Sequence, residues 1–156
     1  MKVRTAVAAF ALLALTTSVA GAAKPKKLLS IGEVVASQGA LARASGKLTL
    51  VRSTLEQELE TIDWRKSTSN KPYVVSVSIV NLQTETTRDK VSTTCELSTT
   101  VRLARDGSVV AILNQRSRAE NEPVYAKSVE DGAIRAAASA AIRKIPVALE
   151  RAKKGN

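Results

Sequence analysis

Apolar and polar residues alternate strictly in two long stretches of the chain. In residues 73–82, apolar side chains take every second position from Tyr73 to Ile79, and in residues 91–103 the odd positions are mostly apolar while polar side chains take the even ones. Period-two alternation is typical of β-strands, and a polar side indicates antiparallel strands with one face in water. We therefore predict strands over both stretches, and a further strand over residues 28–36.

An Asp-Gly pair follows the second of these strands and predicts a hairpin. Asp106-Gly107 supplies the positive φ angles that a two-residue type I′ turn needs. Such a turn would place Val101 opposite Ile112, apolar against apolar. We expect the next strand to cover residues 108–118, with residues 83–90 as the loop between the first two strands of the meander.

Helical spacing marks the segment from Leu48 to Ile62. Its apolar residues recur three and four positions apart and so share one helical face, as Leu48, Val51, Leu55, Leu59 and Ile62. Glu56 and Glu60 share another face, which we interpret as solvated. The small and polar residues 38–47 suit a connection better than an element.

A second helix is predicted near the end of the sequence. Ser128 with Asp131 three residues later resembles a capping box, and an alanine-rich run follows over residues 133–145. Pro146 should end or kink this helix, and residues 150–156 should be frayed. Its apolar stripe is narrow enough to lie close to a sheet and consists of Ile134, Ala138, Ala141, Ile142 and Ile145.

The element order is β-α-β-β-β-α. Each helix and the sheet have one apolar side to bury, so both helices pack most economically on a single face of the sheet. We predict an α+β fold: a two-layer sandwich with a four-stranded, mainly antiparallel sheet.

The N-terminus has the three parts of a cleavable secretion signal. Lys2 and Arg4 precede an apolar stretch over residues 6–15, and Ala20-Gly21-Ala22 offers the small residues of a cleavage site. Cleavage after Ala20 or Ala23 fits nearly as well, and an uncleaved membrane anchor is the competing interpretation. No cysteine lies near the cut, so lipid attachment is not expected. We predict a periplasmic or secreted protein.

The division of the chain follows from this signal. We expect a signal peptide over residues 1–22, a basic linker over 23–27, one domain over 28–150 and a basic tail over 151–156, because about 134 residues suit a single core. Loss of Lys2 and Arg4 lowers the net charge from +10 to +8. This balance favours acidic partners, although a solvated basic surface without a partner is also compatible with it.

The residue inventory excludes much chemistry. The chain has no histidine and one cysteine, Cys95, so imidazole metal sites, thiolate zinc clusters and an internal disulfide are excluded. The alternation places Cys95 on the same side as Val91 and Leu97, which favours a buried thiol over a reactive or intermolecular one. No pair of carboxylates forms a defensible catalytic site. We predict a non-enzyme without cofactor or metal.

The sequence resembles exported proteins of myxobacteria and small periplasmic modules related to the N-terminal domain of TolB and to the curli-secretion lipoprotein. The similarity lies in residues 73–82, in residues 91–113 with their lone Cys95, and in residues 131–145, about half of the chain. It implies an accessory or binding role in the bacterial envelope and provides no catalytic residues. We do not expect the lipid anchor of those lipoproteins here, because no cysteine lies near the predicted cleavage site.

Two functional classes remain open. The first is an adaptor that binds an envelope protein through the edge strand or through the polar face of the sheet, formed by Ser92, Thr94, Glu96, Ser98, Thr100 and Arg102. The second binds a polyanion such as lipopolysaccharide, a wall polymer or nucleic acid through Arg143, Lys144, Arg151, Lys153 and Lys154. Nucleic acid is disfavoured because few aromatic residues are available for base stacking. The oligomeric state is left open.

Overall fold

The computed structural model of the chain describes residues 28–64, 68 and 70–154. The predicted signal and the whole of the predicted basic linker therefore lie outside the described residues. The helices and strands are β1 (Leu29–Ala36), α1 (Leu41–Ala44), α2 (Leu48–Thr61), β2 (Tyr73–Thr86), β3 (Val91–Leu103), β4 (Val109–Asn121) and α3 (Ala126–Lys154).

The four strands form one mixed sheet in the order β1-β2-β3-β4. β1 runs parallel to β2, whereas β2, β3 and β4 form the antiparallel meander that the sequence predicts. The predicted α+β class and the element order are confirmed. β1 and β4 are the two edges of the sheet.

The core lies between one face of the sheet and the two long helices. Residues that alternation and helical spacing predict to be apolar meet there, because the two periodicities place them on facing surfaces. Val75, Ile79 and Leu97 of the sheet are at most 1% exposed, as are Leu55 of α2 and Ile142 of α3. The predicted apolar stripe of α3 is buried throughout.

A bulge in β2 changes which residues face the core. The alternation of Tyr73, Val75, Val77 and Ile79 shifts by one position between Ile79 and Asn81, where the register with β3 is interrupted. Leu82 becomes the next buried residue as a result, at 3% exposure. β2 then continues to Thr86, through half of the segment that was expected to be a loop.

The predicted hairpin register is wrong by one residue. Val101 lies opposite Ala111, and Ile112 lies opposite Thr100 on the other face of the sheet. The turn is not a two-residue type I′ turn, because Gly107 alone has a positive φ, 73°, and its N–H donates to the Leu103 carbonyl at 2.9 Å. A longer loop with one left-handed glycine and a bulge at Val110, near the start of β4, set the register instead.

Residues 38–47 are more ordered than a connection. They hold α1 and a 3-10 turn, Ser45–Lys47, that leads directly into α2. Ala40 and Ala44 are buried in the core at 2% and 0% exposure, so this small-residue segment is folded because it packs. This packing could not be predicted from the local composition of the segment.

α3 is longer than predicted at both ends. A 3-10 turn, Pro123–Tyr125, precedes it, and the helix begins at Ala126, so Ser128 lies inside the first turn and does not cap it. The helix passes through Pro146, which does not end it, and continues to Lys154. The expectation of a frayed tail is therefore wrong up to Lys154, because Ile145 and Leu149 are buried on either side of the proline.

Candidate functional site

The face of the sheet opposite the helices is free of other elements among the described residues. We call it the open face. It is defined by the polar positions of β3 and their cross-strand neighbours in β4, together with Val74, Ser76, Ser78 and Val80 of β2. Because opposed residues of antiparallel strands share one face, the open face of β4 consists of Val109, Ile112, Asn114, Arg116, Arg118 and Glu120.

The predicted β3 residues all lie on this face, with unequal exposure. Thr94, Glu96, Ser98 and Thr100 are half-buried and Arg102 is exposed. Ser92 is buried at 7% exposure, so it contributes little contact area, contrary to its place in the predicted surface.

The burial of Ser92 results from a polar network at one end of the open face. Arg118 donates from Nε to the Ser92 hydroxyl at 2.8 Å and pairs with Glu120. Lys90 donates to Glu120 at 3.4 Å. The hydrogen bond from Lys90 and the positive charge of Arg118 hold the pKa of Glu120 below its ordinary value. This end of the face is therefore charged but internally paired.

A second ion pair lies near the middle of the open face. Arg116 Nε is 3.3 Å from Glu96 Oε1, across neighbouring strands. A surface depression of about 360 Å³ lies beside this pair and is lined by Val80, Ser98 and Asn114 as well. The depression is shallow, so it suits a side chain of a macromolecule better than an enclosed small molecule.

Aliphatic side chains are unusually exposed on and beside the open face. Ile112 is 64% exposed and Val80 is 47% exposed. Val109 and Val35, at 53% and 36%, extend the exposed apolar surface towards the two sheet edges. Single exposed aliphatics are ordinary on protein surfaces, but several on one uncovered sheet face indicate an interaction surface.

The sequence prediction missed the β4 half of this face. Arg116 and Ile112 belong to it because of the register between β3 and β4, and the predicted register placed Ile112 in the core. The signal that could have identified them is the continued alternation of residues 112–120, where Ile112, Asn114, Arg116, Arg118 and Glu120 occupy the even positions.

The basic residues predicted to contact an anion lie along the second half of α3. Arg143 is paired with Glu58 of α2 at 3.2 Å and Lys153 also has an interaction partner. Lys144, Arg151 and Lys154 are exposed. Their spacing of seven and three residues places them on one side of the helix.

Cys95 is buried in the core, as the alternation indicates. Its side chain is fully buried, and burial, with a smaller contribution from Glu96, raises the pKa of the thiol to about 12. The thiolate is the reactive form of cysteine, so this residue is unreactive in the folded protein.

The described part of the chain has neither a metal site nor a membrane-spanning helix. Within it, no three His, Cys, Asp or Glu side chains are grouped in a way that could hold a metal ion. Its helices are all too short or too polar to span a bilayer.

The fold and the open face together define a class: a two-layer α+β module with one uncovered sheet face. No protein-family model matches the sequence, and no curated protein is significantly similar to it. Solved structures of bacterial proteins do share the fold. A Xanthomonas campestris protein of the family DUF330 is similar with a TM-score of 0.59 at 8% identity, covering 81% of this chain and 87% of that one.

Two further structures are similar over most of their length. A minor lipoprotein from Acinetobacter baumannii has a TM-score of 0.51 at 12% identity, with 78% of this chain and 92% of that chain covered. A hypothetical protein from Chlamydia trachomatis has a TM-score of 0.50 at 12% identity, with 82% and 98% covered. At such identities the likeness establishes the fold alone. The resemblance to TolB, to the curli-secretion lipoprotein and to myxobacterial proteins stays a prediction.

Proposed function

We propose that this chain is an exported, non-catalytic protein of the bacterial envelope that binds another protein through the open face. The observation that carries the proposal is the uncovered sheet face with Ile112 and Val80 projecting from it. A two-layer fold buries only one side of its sheet, and exposed aliphatics among hydroxyl groups fit a protein surface of mixed polarity.

The charge distribution of the open face favours a protein over a polyanion. Arg116 and Arg118 are exposed, but each is paired with a glutamate on the same face, and Arg102 is a further exposed cation beside them. A polyanion site needs cations that can approach successive negative charges. Paired charges instead offer alternating hydrogen-bond donors and acceptors, which give specificity in protein interfaces.

Export is supported by the signal pattern in residues 1–22 and by the shared fold of a lipoprotein from Acinetobacter baumannii. The non-catalytic assignment is supported by the lack of histidine in the sequence and by the buried, unreactive thiol of Cys95.

In-cell photo-crosslinking tests the proposal. A crosslinking amino acid at Asn114, which is exposed on the open face, should capture one dominant envelope protein in the native host. The same residue at Ala136, exposed on α3, is the matched control and should capture none. Mass spectrometry of the recovered chain should find its N-terminus near residue 23.

A substitution on the open face distinguishes a specific partner from a protein that is captured non-specifically. Capture from Asn114 should be lost when Ile112→Asp is added, because a charge is placed on the exposed apolar surface. Equal capture from both positions, or capture unaffected by Ile112→Asp, would contradict the adaptor function. An intact Met1 would contradict export by a cleaved signal.

A second candidate function is binding of an anionic envelope polymer through α3. The observation that favours it is the extension of α3 to Lys154, which displays Lys144, Arg151 and Lys154 on one exposed side of a helix. Affinity for heparin, used as a model polyanion, should then fall steeply with salt and should weaken at least tenfold when all three residues are changed to glutamine. A shallow salt dependence would reject this candidate.

A further inference from the structure

A groove lies between the free edge of β1 and helix α2. It has a volume of about 430 Å³, and its apolar lining comprises Leu28, Leu29, Ile31, Leu59 and Trp64. Ser30, Glu56 and Glu60 complete the wall. Trp64 is held by a hydrogen bond from its Nε1 to the Leu59 carbonyl at 2.8 Å, so this end of the groove has a fixed shape.

The free edge of β1 directs backbone hydrogen-bonding groups towards this groove. The Tyr73 N–H donates to the Leu28 carbonyl at 2.8 Å, so β1 uses that edge for β2. Peptide groups alternate between the two edges of a strand, which directs those of Leu29 and Ile31 towards the groove. Arg52 donates to the Gly32 carbonyl at 2.8 Å and closes the edge beyond that point. The open edge is therefore about four residues long.

The rim of the groove is acidic although the protein is basic overall. Glu56 and Glu60 are exposed on α2 and line the groove, whereas Glu33 lies near Ser76 and Thr100 on the other face of the sheet. Arg52 partly neutralises Glu56 at 3.8 Å. An extended occupant with positive charges beside its apolar contacts would complement this rim.

Residues 24–27 of the chain itself have this chemistry. Their sequence, Lys24-Pro25-Lys26-Lys27, carries three lysines in four positions, and it joins the described part of the chain at Leu28, which lines the groove. Four extended residues span about 13 Å, the length of the open edge. Proline is tolerated in a strand that pairs along one edge only.

The segment is too short to occupy the groove of its own molecule. To lie beside β1 it would have to reverse direction at Leu28, and a turn takes at least two residues. This restriction rests on the export proposed above: cleavage near residue 22 leaves so few residues ahead of Leu28 that little of the segment would remain to pair after such a turn. Pairing with a second copy needs no such turn. A two-fold axis near Leu28 would place residues 24–27 of each copy beside β1 of the other, so that each segment reaches the groove of the other copy.

We propose that two copies of this protein associate by reciprocal exchange, in which residues 24–27 of each copy add along the open edge of β1 in the other and face its acids Glu56 and Glu60. The association is isologous and uses a surface separate from the open face. It makes the protein a two-fold dimer that leaves both open faces available to partners.

Disulfide capture between two singly substituted proteins tests the exchange. Mature protein secreted through its own signal is prepared as Lys27→Cys and, with isotopic label, as Glu60→Cys. The native Cys95 is buried and does not interfere. Mixing the two under mild oxidation should give a crosslinked pair with one labelled and one unlabelled chain. Glu96→Cys on the open face replaces Glu60→Cys as the control and should give none.

The charges provide a second measurement. One variant has all three lysines of the segment, Lys24, Lys26 and Lys27, changed to glutamate, and the other has Glu56 and Glu60 changed to lysine. In sedimentation experiments at low salt, each variant should self-associate at least tenfold more weakly than the wild type. A mixture of the two variants should associate again. A chain that carries both Lys27→Cys and Glu60→Cys provides the last test. An intramolecular disulfide in that chain at low concentration, no crosslink between the two single variants, or a monomer at all concentrations would overturn the proposal. These outcomes are independent of crosslinking from Asn114, so this proposal and the adaptor function can fail separately.

Discussion

Cys95 illustrates how one residue's environment decides its chemistry. Cys95 occupies a core-facing position of β3, and its burial raises the pKa of the thiol to about 12. At neutral pH the reactive thiolate is therefore almost absent, and reagents cannot reach the sulfur.

We predict that Cys95 does not react with a disulfide reagent such as DTNB at pH 8 in the native protein, and that it reacts fully once urea unfolds the chain. Ser98→Cys, on the open face of the same strand, is the matched control and should react at once without denaturant. Rapid reaction of Cys95 under native conditions would show that it is accessible.

Gly32 is needed for a different reason, the close approach of two strands. A Cβ atom built at Gly32 would lie 2.7 Å from Val74 Cγ1 and 3.2 Å from Ser76 Oγ. Valine has little freedom at χ1, so the neighbour cannot easily move.

Gly32→Ala should therefore lower the free energy of unfolding by roughly 1–3 kcal/mol through overpacking. Gly39→Ala, where a Cβ would meet no atom within 4 Å, should change it by less than about 0.5 kcal/mol. Urea unfolding followed by the fluorescence of the single tryptophan, Trp64, measures both. Equal stability of the two variants would show that the Val74 side chain can move to make room for the added methyl group.

At the scale of elements, polar contacts fix how the two long helices meet. Glu58 of α2 accepts a hydrogen bond from the Ser139 hydroxyl of α3 at 2.8 Å and pairs with Arg143 at 3.2 Å. The bond from Ser139, and then the contact with Arg143, hold the pKa of Glu58 below its ordinary value of 4.5. Lys47 similarly connects the 3-10 turn to α3 through Glu130 and Asp131, at 2.9 and 2.8 Å.

Glu58→Gln should lower the free energy of unfolding at pH 7 by about 1 kcal/mol, because hydrogen bonds to a charge are lost at a partly exposed site. Since the pKa of Glu58 is lowered by folding, its contribution is present above the ordinary pKa and is lost as pH falls through the folded-state value. The difference between wild type and variant should thus shrink below about pH 4.

Urea titrations at pH 7 and pH 3.5 provide the test of the Glu58 contact. Glu56→Gln is the control, because Glu56 is 57% exposed and its only ion pair among the described residues spans 3.8 Å, so little change is expected. A difference that persists undiminished at pH 3.5 would mean that the charge of Glu58 is not responsible.

At the scale of the whole molecule, the two faces of one sheet have different roles. The helix-covered face contains the core, and the open face contributes polar and aliphatic side chains that the fold does not require. Substitutions on the two faces should therefore separate stability from binding.

Ile112→Lys should change the free energy of unfolding by less than about 0.5 kcal/mol, because Ile112 is 64% exposed. Ile142→Lys, on the buried side of α3, should unfold the protein or cost several kcal/mol, since it places a charge in the core. Circular dichroism during thermal unfolding distinguishes the two. Severe destabilisation by Ile112→Lys would show that the open face is part of the folded core.

Much of this architecture follows from local sequence. The alternation of Tyr73 to Ile79, the odd-position apolar residues of β3 and the stripe from Ile134 to Ile145 each determine an element and its buried side, because strand and helix periods differ. The candidate surface on β3 followed from the same alternation, so that half of the open face could be named without a structure.

What the sequence did not determine depends on contacts between distant segments. The bulge after Ile79 brings Leu82 into the core, and the loop around Gly107 places Ile112 on the open face. Both registers depend on how the strand pairs with β3, which is a contact between distant segments. α1 forms because Ala40 and Ala44 pack, and α3 continues through Pro146 because Ile145 and Leu149 are buried. Local patterns specify what each element can bury, and only the tertiary structure decides how the elements align and therefore which side chains remain outside.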